Sequence, residues 1–350
     1  MDKELKNILF INTGGGIGDT LAFLPTINYI NELYNPENIF YYSTLENFWF
    51  ENKLLEYKPK NVFELKTFPN HFGFIKKHFF LSKNLIKNFP NHFGFIKKHF
   101  FYSKNLIKNF QFNKFDLIID NQTRFINSII YKQIPHKYYI TPCLNYFMSK
   151  PFRFLRKKKQ FAMRVVDYLN KINGCEKKPI YEITIPDNFL NEAKKLIPNN
   201  NYVGFSITAA NPYRIKSFNI SEIAKVANFY SKKFVPTFFI EKKYQKIINY
   251  LKHNVKNCYI PEDIALNELQ KPMLVTALGS LTKFNLSINN GISHMLSFSQ
   301  NKNFLFFNEQ SEKWKPENNY TYIYDCKKRN TSIDKLTSSD LINFIETNLN

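Results

Sequence analysis

Apolar residues along the chain gather into short continuous runs separated by longer amphipathic stretches. Ile8–Ile11 is four apolar residues in a row, the pattern of a strand buried on both faces of a parallel sheet. The spacing that follows predicts a helix over Thr20–Leu33. Further strands are predicted at Asn38–Ser43 (NIFYYS), Asn61–Leu65 (NVFEL) and Phe115–Asp120 (FDLIID). Helices are predicted over Leu45–Tyr57, with an aromatic face, and over Thr123–Ile134 and Met163–Ile172. Strand–helix alternation of this kind implies a parallel sheet. Gly174–Ile180 reads as a linker.

A second alternation begins near Tyr181. Strands are predicted at Tyr202–Ile207, Pro236–Ile240, Cys258–Ile260, Phe284–Ile288 and Asn303–Phe307. Helices are predicted over Ser221–Tyr230 with Ser221 as N-cap, over Lys243–Lys252 and Pro272–Leu278, and from His294. Thr208–Lys216 is a polar loop, Asn289–Ser293 a tight one, and Ser338–Leu349 a closing helix. Two Rossmann-like halves facing each other would bring the loops at their strand C-termini into one cleft.

Composition changes this picture in one place. A 21-residue unit, Phe68–Asn88, recurs as Phe89–Asn109 with a single change, Leu81 to Tyr102. From Leu65 to Phe115 there are ten lysines and no acidic residue. On a helix, Phe74, Ile75, Phe79, Leu81, Leu85 and Ile86 share one side, and Lys76, Lys77, Lys83 and Lys87 the other. The segment reads as a duplicated basic helical insertion. It suits an anionic membrane surface, or it packs its apolar stripe on its own domain. Lys150–Lys159 (KPFRFLRKKK) is a second basic, aromatic-spaced run that could touch lipid or phosphate.

The net charge of +21 favours an anionic partner without choosing among nucleic acid, membrane and acidic substrate. Cys143, Cys175, Cys258 and Cys326 lie far apart with no C-x-x-C pair, as in a reduced cytosolic protein without a zinc site. The N-terminus is no signal peptide and no apolar run spans a bilayer, so the expected location is the cytoplasm.

The candidate chemistry sits in the turn after the first strand, where Gly14, Gly15 and Gly16 are followed by Gly18 and Asp19. Glycines let backbone approach a ligand at a helix start. The dinucleotide fingerprint fails, because Asp19 stands where its last glycine belongs, and no lysine follows as a P-loop requires. Asp19 is the one charge in the turn. It is either an acid–base group or a helix cap.

Four segments in order resemble glycosyltransferase family 9, the heptosyltransferases of lipopolysaccharide core assembly. They are GIGDTLAFLP, FDLIIDNQTRFINSIIYKQI, NPYRIKSFNI and LSINNGISHML, spanning Gly16 to about Leu296. The resemblance implies an α/β GT-B fold: two Rossmann-like domains facing a central cleft, with a basic helical insertion in the first. Residues 1–178 would form the acceptor-side domain, 179–335 the nucleotide-sugar domain and 336–350 a closing helix.

The resemblance further implies inverting transfer without metal or other cofactor. The donor would be a nucleotide sugar, typically ADP-heptose, and the acceptor an acidic glycolipid or surface glycan. By this resemblance Asp19 matches the catalytic aspartate, with Gly15, Gly16 and Gly18 as the acceptor-side glycine loop. Lys216, Gly291 and His294 match donor-binding positions, and Thr208 shares the Lys216 loop. His294 would stand at the start of a helix whose dipole favours phosphate. Phe218 stands where the family has tryptophan, an expected packing position. Asn289 occupies the family's aspartate position and Asn290 that of its serine or threonine, so an amide replaces a charge. Glu241 follows a strand and either accepts from ribose hydroxyls or is an exposed helix-entry residue. Asp120 and Gln122 are strand-end groups.

Together these readings lead to a membrane-peripheral glycosyltransferase at the cytoplasmic face of a bacterial inner membrane. Two other classes stay open. One is a catalytically altered binding protein, suggested by Asn289 and Asn290. The other is a nucleic-acid-binding protein, which rests on charge alone and lacks a reading module, so no nucleic-acid partner is expected.

Overall fold

The computed structural model describes residues 1–2, 4–12, 17–43, 61–65, 110–121, 123, 125–208 and 217–349, with backbone only at 17, 19, 43 and 63–65. The predicted helix over Leu45–Tyr57, the duplicated basic insertion 68–109, Gly15, Gly16, Gln122 and Lys216 lie outside them.

Contacts divide the chain into two compact units. Among the described residues, the first comprises Met1–Thr20 and Thr26–Pro179, and the second comprises Leu21–Pro25 and Ile180 onward.

The first unit is built on a five-stranded, wholly parallel sheet. Its strands are β1 (Asn7–Asn12), β2 (Asn38–Ser43), β3 (Val62–Leu65), β4 (Phe115–Asp120) and β5 (His136–Ile140), in the order β3-β2-β1-β4-β5. The central strand is buried over Ile8–Asn12, as its apolar run requires. β1 holds Ile11 opposite Tyr42 on one side and opposite Asp120 on the other. Leu9, Ile11, Tyr42, Phe115, Ile118, Ile130, Tyr131 and Tyr139 form one core, with Phe40, Phe110 and Phe112 packed on it.

Helices lying wholly or mostly in this unit are α1 (Ile17–Leu21), α2 (Leu24–Tyr34), α3 (Phe125–Tyr131) and α4 (Met163–Asn173). The single helix expected over Thr20–Leu33 is two, broken by a turn at residues 22–23. β5 was not anticipated. Its sequence, HKYYI, has no long apolar run, and its N-terminal half is only partly buried at the sheet edge.

The second unit repeats the plan with α5 (Asp187–Leu196), β6 (Tyr202–Ser206), α6 (Ile220–Tyr230), β7 (Val235–Phe238), α7 (Gln245–Asn254), α8 (Pro272–Leu281), β8 (Asn285–Ile288), α9 (Gly291–Leu296), β9 (Asn303–Phe307), α10 (Ser311–Trp314), β10 (Thr321–Asp325) and α11 (Ser338–Leu349). The sheet is again parallel, in the order β10-β9-β8-β6-β7. Gly204 sits where strands crowd: a Cβ there would lie 2.2 Å from Asn285 Oδ1 and 2.7 Å from the Phe239 ring. The closing helix α11 packs on α6 through Tyr230, whose hydroxyl donates to Glu346 at 2.8 Å.

Two caps differ from expectation. Asn219, not Ser221, caps α6 and accepts from the Ser221 amide at 3.1 Å, because the chain already turns helical at Ile220. The helix expected from His294 begins three residues earlier, at Gly291, because Asn290 closes a capping box with Ser293. Phe218 is buried and meets Phe306 edge-on at 5.3 Å, the packing role expected of it.

Among the described residues, no helix is long and apolar enough to cross a membrane.

Candidate active site

In an open parallel sheet, ligands bind beyond the strand C-termini where the strand order reverses. In the first unit the order reverses between β1 and β4, and in the second between β6 and β8. Of the sequence-predicted site residues, those that are described fall at these two points, Glu241 excepted.

At the first, the chain leaves β1 at Asn12 and enters α1 at Ile17. Asp19 lies within α1, and its carboxylate is outside the described atoms; Gly18 is half-buried beside it. The helix is held by a buried chain of side chains. Asn12 Nδ2 donates to Tyr41 Oη at 2.9 Å, and Tyr41 Oη donates to Thr20 Oγ1 at 3.2 Å. Thr20 is the residue after Asp19, so the backbone that carries the candidate base is tied to both β1 and β2. On the β4 side, the Asn121 amide N–H donates to Ile11 O at 3.3 Å and extends the ladder one residue.

Asp120 is structural here: its Oδ2 accepts from Ser128 Oγ and from Tyr139 Oη, each at 2.8 Å. Burial and the Asp120 charge hold the Tyr139 phenol well above its ordinary pKa.

Asn121 was missed by the sequence reading. It is 3% exposed, and neither Oδ1 nor Nδ2 has a hydrogen-bond partner. Burying a polar group unpaired is costly, so native structures do it seldom. Its one sign in the sequence is a polar residue directly after a buried strand, between the equally polar Asp120 and Gln122.

At the second reversal, Thr208 follows β6 and Asn289 follows β8. The Asn290 amide joins the two strand ends. Its Nδ2 donates to Thr208 O at 2.7 Å and its Oδ1 accepts from Ser293 N at 2.8 Å. In return the Asn290 backbone N–H donates to Ser293 Oγ at 3.1 Å. Asn290 is therefore a brace, with both ends of its amide engaged. Asn289 is half-buried and its backbone N–H donates to Phe306 O at 3.1 Å. Gly291 opens α9. His294 is buried on that helix, edge-on to the Trp314 ring at 6.3 Å. Ser206, at the end of β6, keeps a buried hydroxyl without a partner.

Glu241 stands apart from this group. It is exposed beyond β7 and paired with Lys243 at 2.5 Å. Glu262, also unforeseen, lies three residues past Tyr259, which bridges to Thr237 of β7. One of its carboxyl oxygens is buried without a partner. Burial pushes its pKa up to about 8, against the pull of backbone N–H groups at Glu262 itself and Ile240.

Among the described residues, no group of three His, Cys, Asp or Glu side chains is placed to hold a metal ion. The four cysteines are free thiols.

No protein-family model and no curated protein sequence matches the chain. Solved structures do match it along its whole length. A glycosyltransferase of family 9 from Veillonella parvula is 15% identical with a TM-score of 0.66, covering 100% of this chain and 98% of its own. The Escherichia coli heptosyltransferase WaaC, solved with ADP-2-deoxy-2-fluoro heptose, is 14% identical with a TM-score of 0.64, covering 98% and 99%. The Escherichia coli ADP-heptose lipopolysaccharide heptosyltransferase II is 12% identical with a TM-score of 0.63, covering 98% of each chain. The chain thus has the GT-B fold of these glycosyltransferases.

Proposed function

We propose that the protein is a glycosyltransferase that moves a sugar of heptose type from a nucleoside-diphosphate donor to an acidic glycolipid or surface-glycan acceptor. The observation that carries this reading is the match of fold over the full length to enzymes solved with ADP or an ADP-heptose analogue. Its support from the chain itself is that the two motif regions, around Asp19 and around Asn289–His294, follow the strands flanking each sheet's reversal.

In this reading the first unit takes the acceptor and the second the donor. Asp19 accepts the proton of the acceptor hydroxyl as that oxygen attacks the anomeric carbon. The bond from the anomeric carbon to the diphosphate oxygen breaks as the new one forms, so a single displacement inverts the configuration. The leaving nucleoside diphosphate needs positive charge and N–H donors. Helix α9 has only six residues and its cap already takes the Ser293 N–H, so its dipole contributes little. Lys216 is the charge assigned to that task, with Thr208 of the same loop and no metal required. Asn289 meets the donor sugar as a neutral amide, able to donate and accept but not to repel or attract charge. The acceptor is presented at the cytoplasmic surface of an anionic membrane, which suits the net charge of +21.

Calorimetric titration with ADP, UDP and GDP in the absence of added metal tests this. Binding of ADP in clear preference to the others is expected. Failure to bind any of the three would overturn the donor site. ADP binding without transfer over a broad acceptor panel would favour the non-catalytic binding protein.

A further inference from the structure

The exposed apolar residues of the first unit are not scattered. Among its described residues the large hydrophobic side chains left exposed are Phe125 and Ile126 on α3, and Leu144, Phe147, Phe152 and Phe154 in the loop between β5 and α4. In that loop Phe147 is 65% exposed and Phe154 69%. Isolated exposed apolar residues need no explanation, but four within eleven positions form a patch.

The loop is firmly held. Leu144, Asn145 and Tyr146 all have left-handed backbone, with φ of 47°, 55° and 68°. For residues with a Cβ this costs about 1–2 kcal/mol each. Buried anchors hold the turn against that strain. The Tyr146 ring stacks on Tyr168 at 4.4 Å and its hydroxyl donates to Arg164 O at 2.5 Å. Lys150 pairs with Tyr139 by two backbone bonds of 2.7 and 2.9 Å. The buried Arg164 guanidinium donates to Lys158 O and Lys159 O, each at 3.3 Å. Tyr168 Oη donates to Pro151 O at 2.6 Å. The anchors fill the inside of the loop while Leu144 and the phenylalanines remain outside. Phe147 and Phe152 meet only edge-on, at 5.8 Å.

The charge around the patch has one sign. From Asn121 to Val166 the chain carries ten Lys and Arg and no acidic residue. Lys150, Arg153, Arg156, Lys158 and Lys159 are exposed within the same loop. Asp167 lies 3.8 Å from Lys158.

We propose that the loop from Leu144 to Lys159 is the surface by which the protein rests on an anionic bilayer. Leu144, Phe147, Phe152 and Phe154 enter the headgroup–acyl boundary, and the surrounding cations pair with lipid phosphates. Aromatic side chains interleaved with long cationic ones fit that boundary, because the rings leave water while the charges stay at headgroup level. A phosphate-rich nucleic acid would account for the cations, but it gives no reason for a rigidly presented set of phenylalanines with no base-reading geometry. The proposal deepens the membrane-surface part of the reading above by naming the surface. It rests on that part and not on sugar transfer.

The test is co-sedimentation of the full chain with vesicles of phosphatidylcholine alone and of phosphatidylcholine with phosphatidylglycerol, over a range of salt. Two variants are compared: Phe147→Ser with Phe152→Ser and Phe154→Ser, and Arg153→Gln with Arg156→Gln and Lys159→Gln. The wild type should bind anionic vesicles, bind neutral ones weakly, and lose binding as salt rises. The phenylalanine variant should lose about a hundredfold in partition, as three partly buried rings would give. The charge variant should lose tenfold or more on anionic vesicles, about what three surface cations supply, with a shallower salt dependence. Unchanged vesicle binding in both variants, each folded by circular dichroism, would overturn this surface. Tighter binding to single-stranded or duplex nucleic acid than to anionic vesicles would overturn the bilayer as its occupant. Titration of ADP into the same samples separates the readings. Vesicle binding without ADP binding would keep the surface and remove the donor site. ADP binding without vesicle binding would do the reverse.

Discussion

The two sheets reverse their strand order in the same way, yet they finish the crevice differently. In the second unit the amide of Asn290 is engaged at both ends, to Thr208 and to Ser293. In the first, the amide of Asn121 is buried and engaged at neither. One asparagine closes the structure around the strand ends and the other leaves it incomplete. A buried polar group left unpaired costs stability, and such exceptions gather at functional sites, whereas a group that is already satisfied acts as scaffold. The contrast therefore assigns different work to two residues of one type. It also separates both from Asp19, whose proposed role is chemical.

The largest effect should come from Asp19. Removing the base from the first crevice with Asp19→Asn is expected to lower kcat for transfer by about a thousandfold or more, within the range general-base loss produces. ADP affinity, assigned to the second unit, should change little. Steady-state kinetics beside calorimetry would check both. Substantial turnover by the variant would remove Asp19 from the mechanism.

The two asparagines should then give effects of opposite sign on stability. Asn290→Ala removes a helix cap and the tie to Thr208, and should lower stability by about 1–2 kcal/mol. Asn121→Leu replaces an unpaired buried amide by an apolar side chain of similar size, and should raise stability by about 1–3 kcal/mol. It should also lower transfer several-fold, as the loss of one neutral hydrogen bond to substrate would. Denaturant unfolding of the three proteins decides this. A loss of stability in Asn121→Leu would mean that the amide is satisfied in solution, and the contrast between the crevices would disappear.

Much of this frame is legible in the chain itself, for a physical reason. Strands of a parallel sheet are buried on both faces, so Ile8–Ile11 and, within β4, Leu117–Ile119 stand out as unbroken apolar runs. β5 and β10 do not, because edge strands with one face partly open, HKYYI and TYIYD, mix polar and aromatic residues. Helix α5 is equally faint, because its ten residues, DNFLNEAKKL, bury only Phe189, Glu192, Ala193 and Leu196. The caps at Asn219 and Asn290 show a finer limit. Several Asn and Ser residues cluster at each helix start, and only the backbone decides which side chain reaches the amide two or three residues on. Unpaired groups are the least visible of all. Nothing in the letters around Asn121 or Glu262 says that their partners are missing, since absence of a partner is a property of the assembled neighbourhood.

Glu262 sharpens the comparison from the other side, because it is a group of the second unit with one buried oxygen unpaired, and it lies past the edge strand β7, away from the reversal. Its pKa is raised to about 8 by burial, above the ordinary glutamate value that it regains on unfolding. Between those two values the folded state holds a proton that the unfolded state releases. The neutral carboxyl thus favours folding at low pH, and that contribution is lost as pH rises through about 8. Wild-type stability should decline relative to Glu262→Gln across the weakly acidic to mildly alkaline range. The residue's partial exposure keeps the difference to at most about 1 kcal/mol per pH unit. Urea unfolding of both proteins at several pH values would read it as a diverging pair of curves. Parallel curves would show that water reaches the carboxyl and that it is not buried unpaired. Asn121, at a reversal of strand order, would then be left as the stronger instance of the two.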